Sequence, residues 1–198
     1  MNIFAVHPDP TESANQLCDQ HVVKMLSETA LMLSTALHRH DITTVVEAAS
    51  SRFCADDHAK YKQYLSRLYK PAYQHHPCTV WAGDDMSHFE WLSRHGFALA
   101  QQYRIRYPRL DDTGTIIEHS AYRIIVAAVL LQAVFEVIPD PHDTICVQPA
   151  SFPQCMPDEY KGQDPHLAYR RYYAGEKTFA RYRYTMPPNW MPATSIQP

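Results

Sequence analysis

Glycine is scarce, with five in 198 residues. No stretch alternates convincingly between apolar and polar side chains, so little in the chain supports a β-sheet. There is no glycine-rich phosphate loop and no G-x-S-x-G, which leaves nucleotide-cradling and serine-hydrolase sites without a motif. The five cysteines (Cys18, Cys54, Cys78, Cys146 and Cys155) include no C-x-x-C pair. Their odd number and the expected compartment argue for free thiols. Twelve histidines are present, and His21, His38, His40, His75 and His76 have the chemistry of ligands. None belongs to H-E-x-x-H or to a Cys/His ligand frame, so no metal and no cofactor is expected. A clean apolar run of bilayer length is also missing, because Val126–Val137 is interrupted by Gln132 and Glu136. Residues 1–17 lack the basic start and cleavage site of a signal peptide, which points to the cytoplasm. A basic excess is absent too: the formal net charge is −3. Tight nonspecific binding to nucleic acid needs a basic surface, so any contact with DNA must come from local patches.

One stretch stands out from this ordinary composition. From Leu17 to Leu37 the chain is almost wholly apolar, yet His21, Lys24 and Glu28 interrupt it at i, i+3 and i+7. On a helix that spacing stacks the three on one stripe. Charged groups on a buried helix are costly unless paired or used, and neighbours in one column can shift one another's pKa values. Two readings follow: a polar network that pins helix packing, or a catalytic column. If the three line a solvent-reaching pocket beside His75-His76, chemistry is favoured; if they are sealed, structure is favoured.

Around this stretch the pattern predicts an all-α fold, one compact helical bundle spanning 1–198 around a buried central helix. Asp9 caps a helix that starts at Pro10 and runs to about Leu37. Thr43–Ser50 is ambiguous. A second long helix is expected over Asp56–Lys70, stopped by Pro71, and a third from Asp84 or Asp85 to about Arg106. The segment Tyr73–Trp81 reads as a loop because Pro77 keeps His76 out of the α region. Loops carry sites, so His75, His76 and Trp81 are candidate substrate contacts, with a loop merely anchored by Trp81 as the plain alternative. Ser120–Ile138 is the most apolar helix and the expected centre. An irregular, proline-rich segment covers 139–165, a last helix covers 166–184, and an extended tail covers 185–198, where Trp190 can clip back. Basic residues interleave with tyrosine at Tyr61–Tyr64 and at Tyr169-Arg-Arg-Tyr-Tyr173. That composition suits a surface that grips phosphate and stacks bases, or else a solvated face of snorkelling side chains.

Several segments taken together carry a resemblance. Asn2-Ile-Phe, Asp19-Gln-His-Val-Val-Lys-Met25, His76-Pro77…Trp81, Met156-Pro-Asp-Glu-Tyr-Lys161 and Ala168–Tyr173 resemble a widespread family of small phage-encoded proteins. More distantly, the order of motifs resembles the pyrimidine-dimer DNA glycosylase/AP lyases of the endonuclease V type. Those compact helical enzymes carry D-Q-H in their first long helix, with a glutamate seven residues after the histidine. Asp19-Gln-His21 and Glu28 match in identity and spacing. Phe152-Pro-Gln and Tyr169-Arg-Arg-Tyr-Tyr173 are similar to the enzymes' I-P-Q and W-Y-K-Y-Y segments, in the same order. Where those enzymes carry arginines beside and after the glutamate, this chain has Ser27 and Leu31.

The resemblance implies excision of a damaged or modified pyrimidine flipped out of duplex DNA. An N-terminal amine, with a pKa of about 8, is a usable nucleophile at neutral pH. Met1 would supply it, because Asn2 is large enough to keep Met1 in place. Glu28 becomes the catalytic carboxylate, with His21 and Lys24 beside it. Asp19, Lys161, Tyr169, Arg170, Tyr172 and Tyr173 join the histidine loop as expected substrate contacts. Two rivals stand beside this expectation: an enzyme of phage DNA-base hypermodification, and a non-catalytic phage protein that binds a host factor.

Overall fold

The helix expected from Pro10 to about Leu37 is broken once, over residues 16–18. A short helix α1 (Pro10–Asn15) precedes the break and a 21-residue helix α2 (Asp19–Arg39) follows it. Asp9 caps α1 by accepting from the amides of Thr11 and Glu12. At the break Cys18 is extended, and the backbone groups freed there find distant partners. The Cys18 amide donates to the Tyr173 hydroxyl at 3.0 Å. The carbonyls of Asn15 and Leu17 accept from the Arg106 guanidinium, and that of Gln16 from Tyr182. One continuous helix was expected here; the break persists because buried side chains from elsewhere satisfy the open helix ends.

In the computed structural model, which describes residues 1–140 and 152–192, six further α-helices follow: α3 (Ile42–Ala48), α4 (Ala55–Arg67), α5 (Pro77–Asp84), α6 (Met86–Arg106), α7 (Ser120–Phe135) and α8 (Pro165–Glu176). Among the described residues there is no strand, apart from one isolated bridge between Leu110 and Ile116. The fold is all-α. None of these helices is long and apolar enough to cross a membrane.

The central helix is α2, not the more apolar α7. It packs against α3, α5, α6 and α7. Thirteen of its 21 residues are buried, against eight of sixteen in α7, which exposes Arg123 and Leu130. Gly96 of α6 sits at the tightest crossing, where an added Cβ would lie 2.8 Å from Thr29 Cγ2 and 3.0 Å from Ile125 Cδ1. Three helices thus converge where one residue has no side chain. One apolar cluster runs from Ile3 to Met191.

Several helix ends differ from expectation for identifiable reasons. Pro77 opens α5 instead of prolonging a loop: it fills the first turn, where no N–H is missed, and His76 caps it. Helix α4 stops at Arg67, and residues 68–72 cross α2. There Ser34 Oγ accepts from Tyr69 N, and Thr35 Oγ1 bonds both the amide and the carbonyl of Ala72. Helix α7 ends at Phe135 because Glu136 turns left-handed (φ 48°) and the Gln132 amide binds both backbone groups of Ile138. Helix α8 ends at Glu176, well short of residue 184. The chain beyond it returns to the body, where Trp190 donates to Gln16 Oε1 at 2.7 Å and meets Tyr173 edge-on. Parts of the expected proline-rich segment (141–151) and tail (193–198) lie outside the described residues.

Candidate active site

The first residues run through the core, not over it. Ile3, Phe4, Ala5 and Val6 are buried. Phe4 adopts a left-handed backbone (φ 44°), unusual for an aromatic residue and held by its surroundings. Its ring stacks on His21 at 4.7 Å, and its carbonyl accepts from Ser13. Helix α8 clamps the same segment: Arg170 Nε donates to the Val6 carbonyl at 2.7 Å, and a His166 ring nitrogen bonds the Ala5 carbonyl. Asn2 is buried and fully engaged. Its Oδ1 accepts from the amides of Ile3 and Phe4, and its Nδ2 donates to the Cys155 carbonyl at 2.8 Å. Its own backbone N–H donates to Glu28 Oε2 at 2.9 Å. The start of the chain is therefore tied to the carboxylate of α2.

Glu28 keeps 17% of its side-chain surface exposed, and Lys24 Nζ lies 3.5 Å from its other oxygen. The glutamate opens into a cleft of about 490 Å³ lined by Ser27, Glu28, Leu31, Tyr69 and Lys70. The far wall, Tyr69-Lys70, is the stretch held over α2 by Ser34 and Thr35. The turn that follows leads to His76. Burial chiefly, and then the N-terminal ammonium, push the His76 pKa below the ordinary value, while Glu28 opposes them. The amine and the Glu28 carboxylate therefore both lie close enough to act on the His76 imidazole.

The expected column is split. Glu28 faces the cleft and Lys24 is exposed beside it, but His21 is turned inward: it is buried, hydrogen-bonded to the Tyr173 hydroxyl at 2.7 Å and stacked on Phe4. Burial, with Lys177 and Lys24 nearby, lowers its pKa to about 4, so it is neutral at pH 7. Asp19 is likewise inside, 3.1 Å from the fully buried Arg106 guanidinium, with its second oxygen accepting from Arg183 N. That is the place of a structural ion pair, not of a substrate contact.

The tyrosine/arginine helix was expected at a DNA surface, and the structure corrects this for most of it. Tyr169 and Tyr173 are fully buried, and Tyr169 donates its hydroxyl to the Pro153 carbonyl. Arg170 is committed to Val6. Tyr172 is half-buried beneath Lys177, whose ammonium lies 4.3 Å from its ring. Trp81 is buried within α5 among Trp91, Phe152 and His88, as an anchoring core residue would be. His75 is exposed on the turn, and Lys161 is exposed and paired with Asp158 at 2.7 Å.

Three features escaped the sequence. The Asn2–Glu28 bond joins residues 26 apart, and only the matched glutamate hinted at it. Lys70 and Tyr69 reach the cleft through an irregular crossing that has no periodicity. Cys78 and Cys155 meet at 3.4 Å across 77 residues, beyond the range of any local motif.

Comparison with curated proteins and with solved structures gave no match. Residues 1–112, which carry the chain start, all of α2, the crossing at Tyr69-Lys70 and His76, match the family described as pyrimidine dimer DNA glycosylase. That match covers more than half of the chain, and the protein belongs to the pyrimidine dimer DNA glycosylase family.

Proposed function

We propose that this protein excises a damaged or modified pyrimidine from DNA, with the N-terminal amine as nucleophile and Glu28 as its carboxylate partner. The observation that carries this reading is the 2.9 Å bond from Asn2 N to Glu28 Oε2 at the wall of an open cleft. It ties the chain start to the cleft's carboxylate, which supports an amine attacking a sugar carbon lodged there. The amine of Met1 attacks C1′, the glycosidic bond breaks, and the base leaves with the bonding pair and takes up a proton. Glu28 stabilises the positive charge that develops on the sugar and shuttles protons. Ring opening gives an imine. Loss of a C2′ proton then breaks the C3′–O bond and releases the 3′ phosphate. Loss of Met1 would leave the Asn2 nitrogen as the amine, already beside Glu28.

Lys24 and Lys70 flank the carboxylate, and they are the local positive charge that an acidic chain needs to hold phosphates. His75 and Lys161 lie exposed toward solvent and are proposed as outer DNA contacts; His76 is proposed as a neutral neighbour of the amine. Ser27 and Leu31 line the cleft where arginines stand in the resembling enzymes. This less charged wall favours a modified pyrimidine over a dimer as the extruded base.

The test is borohydride trapping on duplexes that carry an abasic site or a modified pyrimidine, after the N-terminal mass has been confirmed. The expected result is a covalent protein–DNA adduct that maps to the first residue and disappears when residues are added before Met1. An adduct on Lys24 would move the nucleophile, and no adduct on any substrate would remove the amine from the mechanism.

A further inference from the structure

Beside the amine, His76 belongs to a cluster whose two thiols the proposed reaction does not use. His76, Cys78 and Cys155 offer three ligand atoms that all fall within 4.8 Å of one another. Cys78 is buried at the first turn of α5, and Cys155 lies on the segment after residue 152. Their sulfurs are 3.4 Å apart. Two thiolates on one tetrahedral Zn²⁺, with Zn–S of about 2.3 Å, sit roughly 3.8 Å apart. The pair must therefore open by only a few tenths of an ångström to admit such an ion. From the juxtaposition of His76, Cys78 and Cys155 we infer that this protein binds a thiophilic divalent cation of the zinc class, beside its active site.

The donor set suits that class of ion. Two thiols and an imidazole are soft-to-borderline ligands, which select zinc-like ions over magnesium or calcium. The two sulfurs already share a hydrogen bond across 3.4 Å, so they point at one another in the common space an ion would fill. Binding expels the protons still held by the two thiols to solvent; no electron is transferred. The cost is one weak contact. His76 Nδ1 accepts a 3.2 Å bond from Cys78 N, and ligation through either ring nitrogen gives it up. Three protein ligands leave a fourth position for water. The ion would also stiffen the active site, because the Cys155 carbonyl receives Asn2 Nδ2. Pinning Cys155 to α5 pins the segment that holds the chain start against Glu28.

This inference is independent of the glycosylase chemistry. The full chain, reduced and stripped with a chelator under argon, is titrated with Co²⁺. One equivalent should produce a thiolate-to-cobalt charge-transfer band and the visible bands of a tetrahedral ion, all erased by Zn²⁺. Cys78→Ser and Cys155→Ser should each lose the charge-transfer intensity and weaken binding beyond the ~10–100-fold typical of outer-shell changes. Cys54→Ser should behave as wild type. Since a buried substitution can unfold the chain, a second measurement uses the native protein: Zn²⁺ should protect the partly exposed Cys155 from alkylation, mapped by mass spectrometry, and leave Cys54 reactive. The inference is overturned if the reduced protein takes up no stoichiometric cobalt, or if the band survives removal of both cysteines. It is equally overturned if the two sulfurs are found as a disulfide and the reduced form stays unprotected by zinc.

Discussion

The first turn of α2 and its middle carry the same kinds of residue and put them to different uses. In the first turn, Asp19 and His21 are sealed in. Asp19 pairs with a buried arginine that also holds three backbone or amide oxygens, and His21 lies between Phe4 and Tyr173. Two turns on, Glu28 faces a cleft with a lysine beside it and an amide of the chain start upon it. His21 and Glu28 sit on one stripe while Asp19 lies on the opposite face, so the stripe alone does not tell the enclosed group from the open one. What separates them is the cover: α8 and the residues after it close over the first turn, and nothing described closes over the middle. A polar group on a buried helix is structural where its partners are all protein. It is chemical where one side remains open to a substrate.

The comparison is broken most severely at the sealed turn. Arg106→Ala leaves the buried Asp19 without a countercharge, with only the Arg183 amide upon it, and frees the carbonyls of Asn15 and Leu17. It should destabilise the fold by about 3–5 kcal/mol, read as a shift in the urea midpoint. A loss below about 1 kcal/mol would mean that the break before α2 stands without this arginine.

Acid should attack the same turn. The folded His21 has its pKa lowered to about 4 from an ordinary 6.5. The unfolded chain therefore takes up a proton first as pH falls. The stability due to a neutral His21 is complete above about 6.5 and is lost between 6.5 and 4. At about 1.36 kcal/mol per unit, this residue alone contributes up to about 3 kcal/mol. His95 adds to the trend, since it is buried without a hydrogen-bond partner and its pKa is lowered to about 3. Denaturant midpoints between pH 7 and pH 5 check this, and His21→Asn should flatten the slope.

At the open middle the expected pattern is reversed. Glu28→Gln keeps the shape and an oxygen for Asn2 N–H, and its salt bridge with an exposed lysine is worth little. Stability should barely change, while excision should fall about 10²-fold or more. Full activity in this variant would remove the carboxylate from the reaction.

The smallest effect belongs to the cleft rim. Lys70→Ala should weaken DNA binding modestly and reduce the salt dependence by a slope of about one, the amount for one phosphate contact. An unchanged slope would make Lys70 a solvated side chain. Arg170→Ala, by contrast, should loosen the N-terminal segment more than it alters salt dependence, because its guanidinium is spent on Val6.

The local features of this fold were legible in the residues. Few glycines and helical spacing pointed to an all-α chain, and Asp9 and Asp85 marked helix starts that the structure keeps. Glu28, seven residues after His21, marked the open middle of α2 through its match to an enzyme pattern. These signals survive because helix capping and periodicity act over a few residues, within one element. Tertiary packing decided the rest. The Tyr169–Tyr173 repeat has the composition of a nucleic-acid surface, yet its face was chosen by the apolar chain start it had to cover. Trp81 and Asp19 followed the same rule. The partners that complete the site (Asn2 with Glu28, Cys78 with Cys155, Asp19 with Arg106) are 26, 77 and 87 residues apart. No local preference encodes such separations. They exist because one core must bury the chain start and the segments around α8 against α2, and the polar groups carried in with them must each find a partner or an opening to water.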